Sequence, residues 1–209
     1  MSARPLPADD LEAITTAAEA DLRALEGAHL LITGASGMFG RWLLSSFAHA
    51  NRTLGLRARC TAVARRARVL REIEPALSSD PAIELVDGDV RDWAPRADAT
   101  PTHVIHAATS TSATVSASET IATIVDGTRN VLARGSASAR LLYVSSGAVY
   151  GSQPTTIDRV AEGHLGAPDP LDVRSAYGEA KRLAEQCCVV AVAERGMSIS
   201  IARGFAFAG

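Results

Sequence analysis

The apolar positions of this chain change period soon after its start. From Asp9 to Glu26, Leu11, Ile14, Ala18, Leu22 and Leu25 recur at three- and four-residue steps, which predicts one amphipathic helix. Asp9 or Asp10 can cap its start and Gly27 can end it. Residues 1–8 lack the pattern and read as a disordered tail. Beyond Gly27 short apolar runs alternate with helical segments. Strands are predicted at His29–Thr33, Ala58–Ala64, Ile83–Val86, His103–His106, Leu141–Ser145 and Ser198–Arg203. Helices are predicted at Arg41–Ala50, Arg65–Leu77, Ser118–Arg134 and Ser175–Glu194. On the third of these, Ile121, Ile124, Val125, Thr128 and Leu132 fall on one side. A loop rich in Gly, Pro and Asp spans Gly151 to Arg174. Strands alternating with helices predict an α/β fold with a parallel sheet covered on both faces, and right-handed crossovers make it doubly wound. Residues 1–27 are then a tail and an added helix, and residues 28–209 the main domain.

Composition narrows the partners. A chain of 209 residues with 47% apolar content can bury a core without staples. Aromatics make up only 4%, so small residues, Ala above all, must do much of the packing. A net charge of −2 gives no long-range attraction to nucleic acid or anionic lipid. No apolar run approaches the ~18 residues of a membrane span, and Arg4, Pro5 and Pro7 do not form a signal peptide. Cys60, Cys187 and Cys188 are an odd set with two adjacent members, which fits a reduced, cytoplasmic setting better than a disulfide framework. No metal site is read.

Two motifs carry chemistry. The first is Thr33-Gly34-Ala-Ser36-Gly37-Met38-Phe39-Gly40, between a predicted strand and a predicted helix. Gly34 permits a tight turn, Gly37 lets a pyrophosphate approach the backbone, and Gly40 lets helix and strand lie close. The helix N-terminus offers N–H groups and partial positive charge to the phosphates. A dinucleotide, NAD or NADP, is expected here. The second strand ends in Ala64-Arg65-Arg66 with no acid to accept from a ribose 2′-hydroxyl. Those arginines are either a solvated face or a grip on the 2′-phosphate, and the reading leans to NADP.

The second motif is Tyr177-Gly-Glu-Ala-Lys181, one helical turn from phenol to amine. Lowering a tyrosine from its ordinary ~10 to ~7 takes roughly 4 kcal/mol. An ammonium at ~4 Å supplies about that at an effective dielectric of ~20. Lys181 can therefore poise Tyr177 as an acid/base. Ser145-Ser146 ends the fifth strand, where a doubly wound sheet places its ligand, and a hydroxyl there can bond a substrate oxygen.

Taken in chain order, these residues resemble the extended branch of the short-chain dehydrogenase/reductase superfamily, the nucleotide-sugar epimerases and dehydratases with a Rossmann fold. The resemblance runs from about residue 28 to the end. It implies that Gly34, Gly37 and Gly40 hold the pyrophosphate, that Ser36, Met38 and Phe39 of the same loop also bind the cofactor, and that Asp89-Val90 contact adenine. It places His106-Ala107-Ala108 and Ser145 along the cofactor's ribose and nicotinamide. Ser146, Tyr177 and Lys181 match the catalytic positions, with Tyr177 and Lys181 also touching the cofactor. The implied substrate is a sugar nucleotide, oxidised by Tyr-mediated hydride transfer. A homodimer through helices 118–134 and 175–194 is implied as well.

The sequence also departs from that pattern. Gly147 and Ala148 stand where dehydratases carry Asp-Glu, which disfavours water elimination and leaves a 4-epimerase or keto-reductase. Ile124 and Ala206 stand where Asn is expected. Family members continue into a smaller substrate lobe, whereas this sequence stops at Gly209. It is therefore expected to be a fragment or to lack the usual sugar-nucleotide clamp. Two other readings stay open: an NAD(P)-binding module without turnover, and a reductase of a non-sugar ketone.

Overall fold

The computed structural model describes residues 6–96, 100–109, 114–153 and 155–205. Its strands are β1 (His29–Thr33), β2 (Arg59–Ala64), β3 (Ile83–Asp87), β4 (His103–His106), β5 (Arg140–Ser146) and β6 (Ser198–Gly204). They form one sheet in the order β3-β2-β1-β4-β5-β6, every neighbouring pair parallel. The winding reverses between β1 and β4, the point at which a doubly wound sheet opens a crevice at its carboxyl ends. Thr33 is level with Val63 of β2 and His106 of β4, so the loops leaving all three strands meet at one rim.

The helices are α1 (Ala8–Ala17), α2 (Glu19–Arg23), α3 (Met38–Thr53), α4 (Ala67–Ile73), α5 (Pro75–Ser78), α6 (Ala117–Arg134) and α7 (Ala176–Arg195). Side chains alternate across the sheet and feed two cores. On one face Leu30, Ile32, Cys60 and Ala62 pack with Leu44 and Phe47 of α3 and Leu70 of α4. On the other, Leu31, Val104, Leu141 and Tyr143 pack with Ile124 and Val131 of α6 and Ala180, Ala184 and Cys188 of α7. The alanines are what let α7 approach the sheet closely. Among the described residues no helix is long and apolar enough to cross a membrane.

Several boundaries differ from the sequence reading. The helix expected over Asp9–Glu26 is two helices, because Ala18 (φ −112°, ψ 17°) leaves the helical region. Pro7 precedes the first turn, and Asp9 and Asp10 lie in that turn rather than capping it through a side chain. The pair packs on α3, with His49 Nε2 2.9 Å from Glu12 Oε2 and Leu22 and Leu25 against the first core. Residues 1–5 of the expected tail lie outside the described residues. The helix expected over Arg65–Leu77 breaks at Glu74 (φ −132°, ψ 66°), because the ring of Pro75 drives the preceding residue out of the helical region. Helix α3 starts three residues earlier than expected, directly on the glycine loop. In α6, Ile121 is exposed rather than facing the core.

Candidate functional site

Strand β1 runs into Gly34, whose φ of +76° L side chains rarely adopt. A Cβ there would lie 2.7 Å from Ala107 O, so the β1 loop touches the β4 loop backbone to backbone. A Cβ on Gly40 would lie 2.4 Å from Gly34 O and 2.5 Å from Ala35 Cα, which is why α3 can start so near the strand it follows. Gly37 differs from both. It caps α3 in an extended conformation (φ −77°, ψ 171°), and a Cβ there would meet only Gly34 O, at 3.3 Å. What Gly37 leaves clear is the space outside the fold. With no side-chain acceptor at the cap, the positive end of α3 faces that space.

The space is a cleft of about 310 Å³ at the β1/β4 switch point. Of the sequence-predicted residues, Gly34, Ser36, Gly37, Met38, Phe39, Arg65, Arg66, Val90, Ala107 and Ala108 line it. So do Thr109 and Thr123, which the motifs did not single out. Both hydroxyls are buried and have no hydrogen-bond partner among the described residues. An orphaned buried hydroxyl is costly unless a ligand completes it. Two of them, together with the bare backbone at Gly37, fit a polar, phosphate-bearing ligand such as a dinucleotide.

Charge gathers at the outer end of the cleft. Arg65 Nη1 lies 3.6 Å from Glu119 Oε1, and Glu119 Oε2 accepts from Arg91 Nη1 at 3.0 Å. Arg91 also bonds Asp89, at 2.6 Å from Nη2 to Oδ2. The Arg91 hydrogen bond holds the Asp89 carboxyl below the usual carboxylate range. Asp89 is thus engaged beside the cleft while its neighbour Val90 faces in.

His106 and Ser145 do not line the cleft. His106 is fully buried, with Nδ1 2.7 Å from Thr33 Oγ1 and Nε2 3.0 Å from Thr128 Oγ1. Burial, with the Lys181 charge adding to it, pushes its pKa down to about 3, so it is a neutral brace between β1, β4 and α6. Ser145 is buried and donates to Glu185 Oε1 at 2.5 Å. Both placements depend on partners more than twenty residues away, which local motifs do not reveal.

Ser146, Tyr177 and Lys181 do not line the cleft either; Ser146 ends β5, and Tyr177 and Lys181 lie in the first turns of α7. Ser146 Oγ accepts from Ala148 N at 3.1 Å and caps the short turn Gly147–Tyr150. A Cβ on Gly178 would lie 2.7 Å from Ala148 O, so the start of α7 rests on that turn. One turn along α7, Lys181 Nζ donates to Val144 O at 2.7 Å and lies 4.9 Å from the ring centre of Tyr143 and 6.0 Å from that of Tyr177. Lys181 is 2% exposed, and burial lowers its pKa to about 8. It is also the only lysine in the sequence, all other cationic side chains being arginine or histidine. A chain that uses arginine at its other permanently charged basic positions keeps its one side-chain ammonium here, a signal present in the sequence beyond the Y-x-x-x-K spacing. The Phe205 ring would stand 2.6 Å from a Cβ on Gly147, so a side chain at that position would have to displace this exposed ring. Ala206 lies outside the described residues.

Known proteins share this architecture. A short-chain dehydrogenase/reductase superfamily protein from Agrobacterium tumefaciens, solved with bound NAD, is 27% identical with a TM-score of 0.63, over 84% of this chain and 48% of its own. UDP-glucuronic acid 4-epimerase from Bacillus cereus, in complex with UDP-glucuronic acid and NAD, is 20% identical with a TM-score of 0.66, over 84% and 55%. RMD from Pseudomonas aeruginosa, complexed with NADPH, is 22% identical with a TM-score of 0.59, over 85% and 54%. The chain spans about half the length of these structures. The model of the NAD dependent epimerase/dehydratase family matches residues 30–209. A match running from the second residue of β1 to the last residue of the sequence means that this chain belongs to the NAD dependent epimerase/dehydratase family.

Proposed function

We propose that this chain is the NAD(P)-binding part of an enzyme that oxidises a hydroxyl of a nucleotide-linked sugar, as a 4-epimerase or keto-reductase does. The observation that carries the reading is the cleft itself: bare backbone at Gly37 and the orphaned hydroxyls of Thr109 and Thr123. The solved structures named above, two with NAD and one with NADPH, support the cofactor class. Arg65 and Arg66 at the cleft support NADP over NAD. Gly34, Ser36, Gly37 and the start of α3 would hold the pyrophosphate. When bound, the nicotinamide supplies the hydride acceptor.

The chain's own groups divide the remaining work. Tyr177 takes the proton of the substrate hydroxyl as its carbon is oxidised. Ser146 bonds the same oxygen and orients it. Lys181 supplies the positive charge that favours the phenolate. Gly147 and Ala148, which carry no acid, favour hydride chemistry over water elimination. The apolar side chains of Leu183, Val189 and Val192 on α7 and Ile121 on α6 are exposed and support a homodimer through these helices.

The test is absorbance at the reduced-nicotinamide band with a panel of sugar nucleotides. Turnover by the wild type and its loss in Tyr177→Phe, with cofactor affinity kept, is the expected result. Reduction of simple ketones with no response to sugar nucleotides would replace the substrate reading. Tight cofactor binding without turnover in any longer form of the protein would leave only a binding module.

A further inference from the structure

We propose that Glu185 is a positioning residue: bonded to Arg203 and to Ser145, the neighbour of the Val144 whose carbonyl holds the Lys181 ammonium, it fixes where that ammonium sits. The proposal rests on the reading of Lys181 as a site residue but is observed without turnover. Glu185 is 8% exposed and its carboxylate accepts from three donors. Ser145 Oγ donates to Oε1 at 2.5 Å, Arg203 Nε to Oε1 at 2.9 Å and Arg203 Nη2 to Oε2 at 2.7 Å. The remaining Arg203 nitrogen, Nη1, donates to Tyr150 Oη at 2.8 Å and to Glu162 O at 3.2 Å. One carboxylate therefore joins the residue beside Ser146, the helix turn after Lys181, the Gly147–Tyr150 turn and β6.

The i,i+4 spacing puts Glu185 and Lys181 on one face of α7. Several groups face the ammonium. The rings of Tyr143 on β5 and Tyr177 on α7 lie 4.9 and 6.0 Å from it, and it interacts electrostatically with Glu185 and Cys188 on α7 and with His106 on β4. Arg203 stands behind Glu185 on β6, and the hydroxyl of Thr128 on α6 bonds His106 and is neutral. Burial pushes the Cys188 thiol up to about 12 and the Tyr143 phenol above its usual range, and His106 is uncharged. Glu185 is the carboxylate in this set, and it offsets the desolvation of Lys181. A network that only stapled the fold would affect stability and leave the titration of Lys181 alone.

The experiment is a lysine Cε NMR titration of the full chain, free of cofactor and of any lysine-bearing tag. Selective labelling reports a single side chain, because Lys181 is the only lysine. The wild-type midpoint is expected near pH 8. Glu185→Gln removes the carboxylate charge that favours the ammonium and should lower the midpoint by roughly one unit or more. Glu185→Asp keeps the charge and should restore most of it. Arg203→Gln, read independently should Glu185→Gln fail to fold, should move the midpoint upward. Unchanged midpoints in folded variants, or shifts of both glutamine variants in one direction, would overturn the proposal. Cofactor binding is measured separately in the same samples. Opposite shifts in a protein that binds neither NAD nor NADP would support the coupling while removing the dinucleotide reading.

Discussion

Replacing Lys181 with methionine should make the protein more stable and less able to catalyse. A buried amine whose pKa falls from 10.5 to about 8 carries a penalty of about 3 kcal/mol on its charged form. Methionine has similar length and no charge, so the substitution relieves that penalty. It also removes the donor to Val144 O, worth about 1 kcal/mol. The contact with the Tyr143 ring is worth about 1 kcal/mol more. The balance is a gain of about 1–2 kcal/mol at pH 7, or about 2–8 °C in Tm for a chain of this size. The sign depends on pH. Because the folded value lies below the unfolded one, the unfolded chain binds the extra proton between about pH 8 and 10.5. Wild-type stability therefore rises with pH across that window. The advantage of methionine is largest below pH 8 and disappears toward pH 10.5. Urea unfolding of both proteins at pH 7 and pH 10 measures the difference. A variant less stable than wild type by the same margin at both values would refute the reasoning, since Lys181 would then act through packing alone.

Three further substitutions separate the parts of the cleft. Gly40→Ala drives a Cβ into the backbone of Gly34 and Ala35, so thermal unfolding should show a loss of about 3 kcal/mol or more; a small loss would mean that α3 can move away from β1. Thr123→Val removes an orphaned hydroxyl and should leave the free protein as stable or up to about 1 kcal/mol more so. The same variant should weaken calorimetric cofactor binding about three- to tenfold, and wild-type affinity would show that this hydroxyl does not meet the ligand. Glu119→Gln releases Arg65 from its pairing at 3.6 Å and should raise the ratio of NADP to NAD affinity about two- to fivefold at low salt. An unchanged ratio would count against Arg65 as a phosphate ligand.

How far the sequence could be read depended on the range of the interactions involved. The glycine loop was legible because each glycine answers a local demand: a positive φ at Gly34, an open approach at Gly37 and backbone contact at Gly40. The parallel sheet was legible because each strand is a short apolar run bounded by turn residues. The break at Glu74 was written in the following Pro75, although the apolar pattern runs through it. The break at Ala18 has no such mark, since neither Gly nor Pro stands there. His106 and Ser145 sit in motifs that place them beside the ligand, yet their bonds to Thr128 and Glu185 come from helices far along the chain. Thr109 and Thr123 belong to no motif; only the fold shows them at the cleft with buried, unpartnered hydroxyls. The pairing of Glu185 with Arg203 was likewise invisible, since nothing local ties α7 to β6.

The claim on which the rest depends is that a cofactor pyrophosphate lies against the backbone at Gly37. Calorimetric titration of wild type and Gly37→Val with NADP and NAD tests it most directly. The backbone at Gly37 suits any residue and its Cβ meets only Gly34 O at 3.3 Å, so the variant should fold, with a loss of about 1 kcal/mol from the tight contact and the poorer cap. Its affinity for both cofactors should fall by more than about tenfold, a loss above ~1.4 kcal/mol. A Gly37→Val protein that binds either cofactor as tightly as wild type, or a wild type that binds neither, would contradict the account.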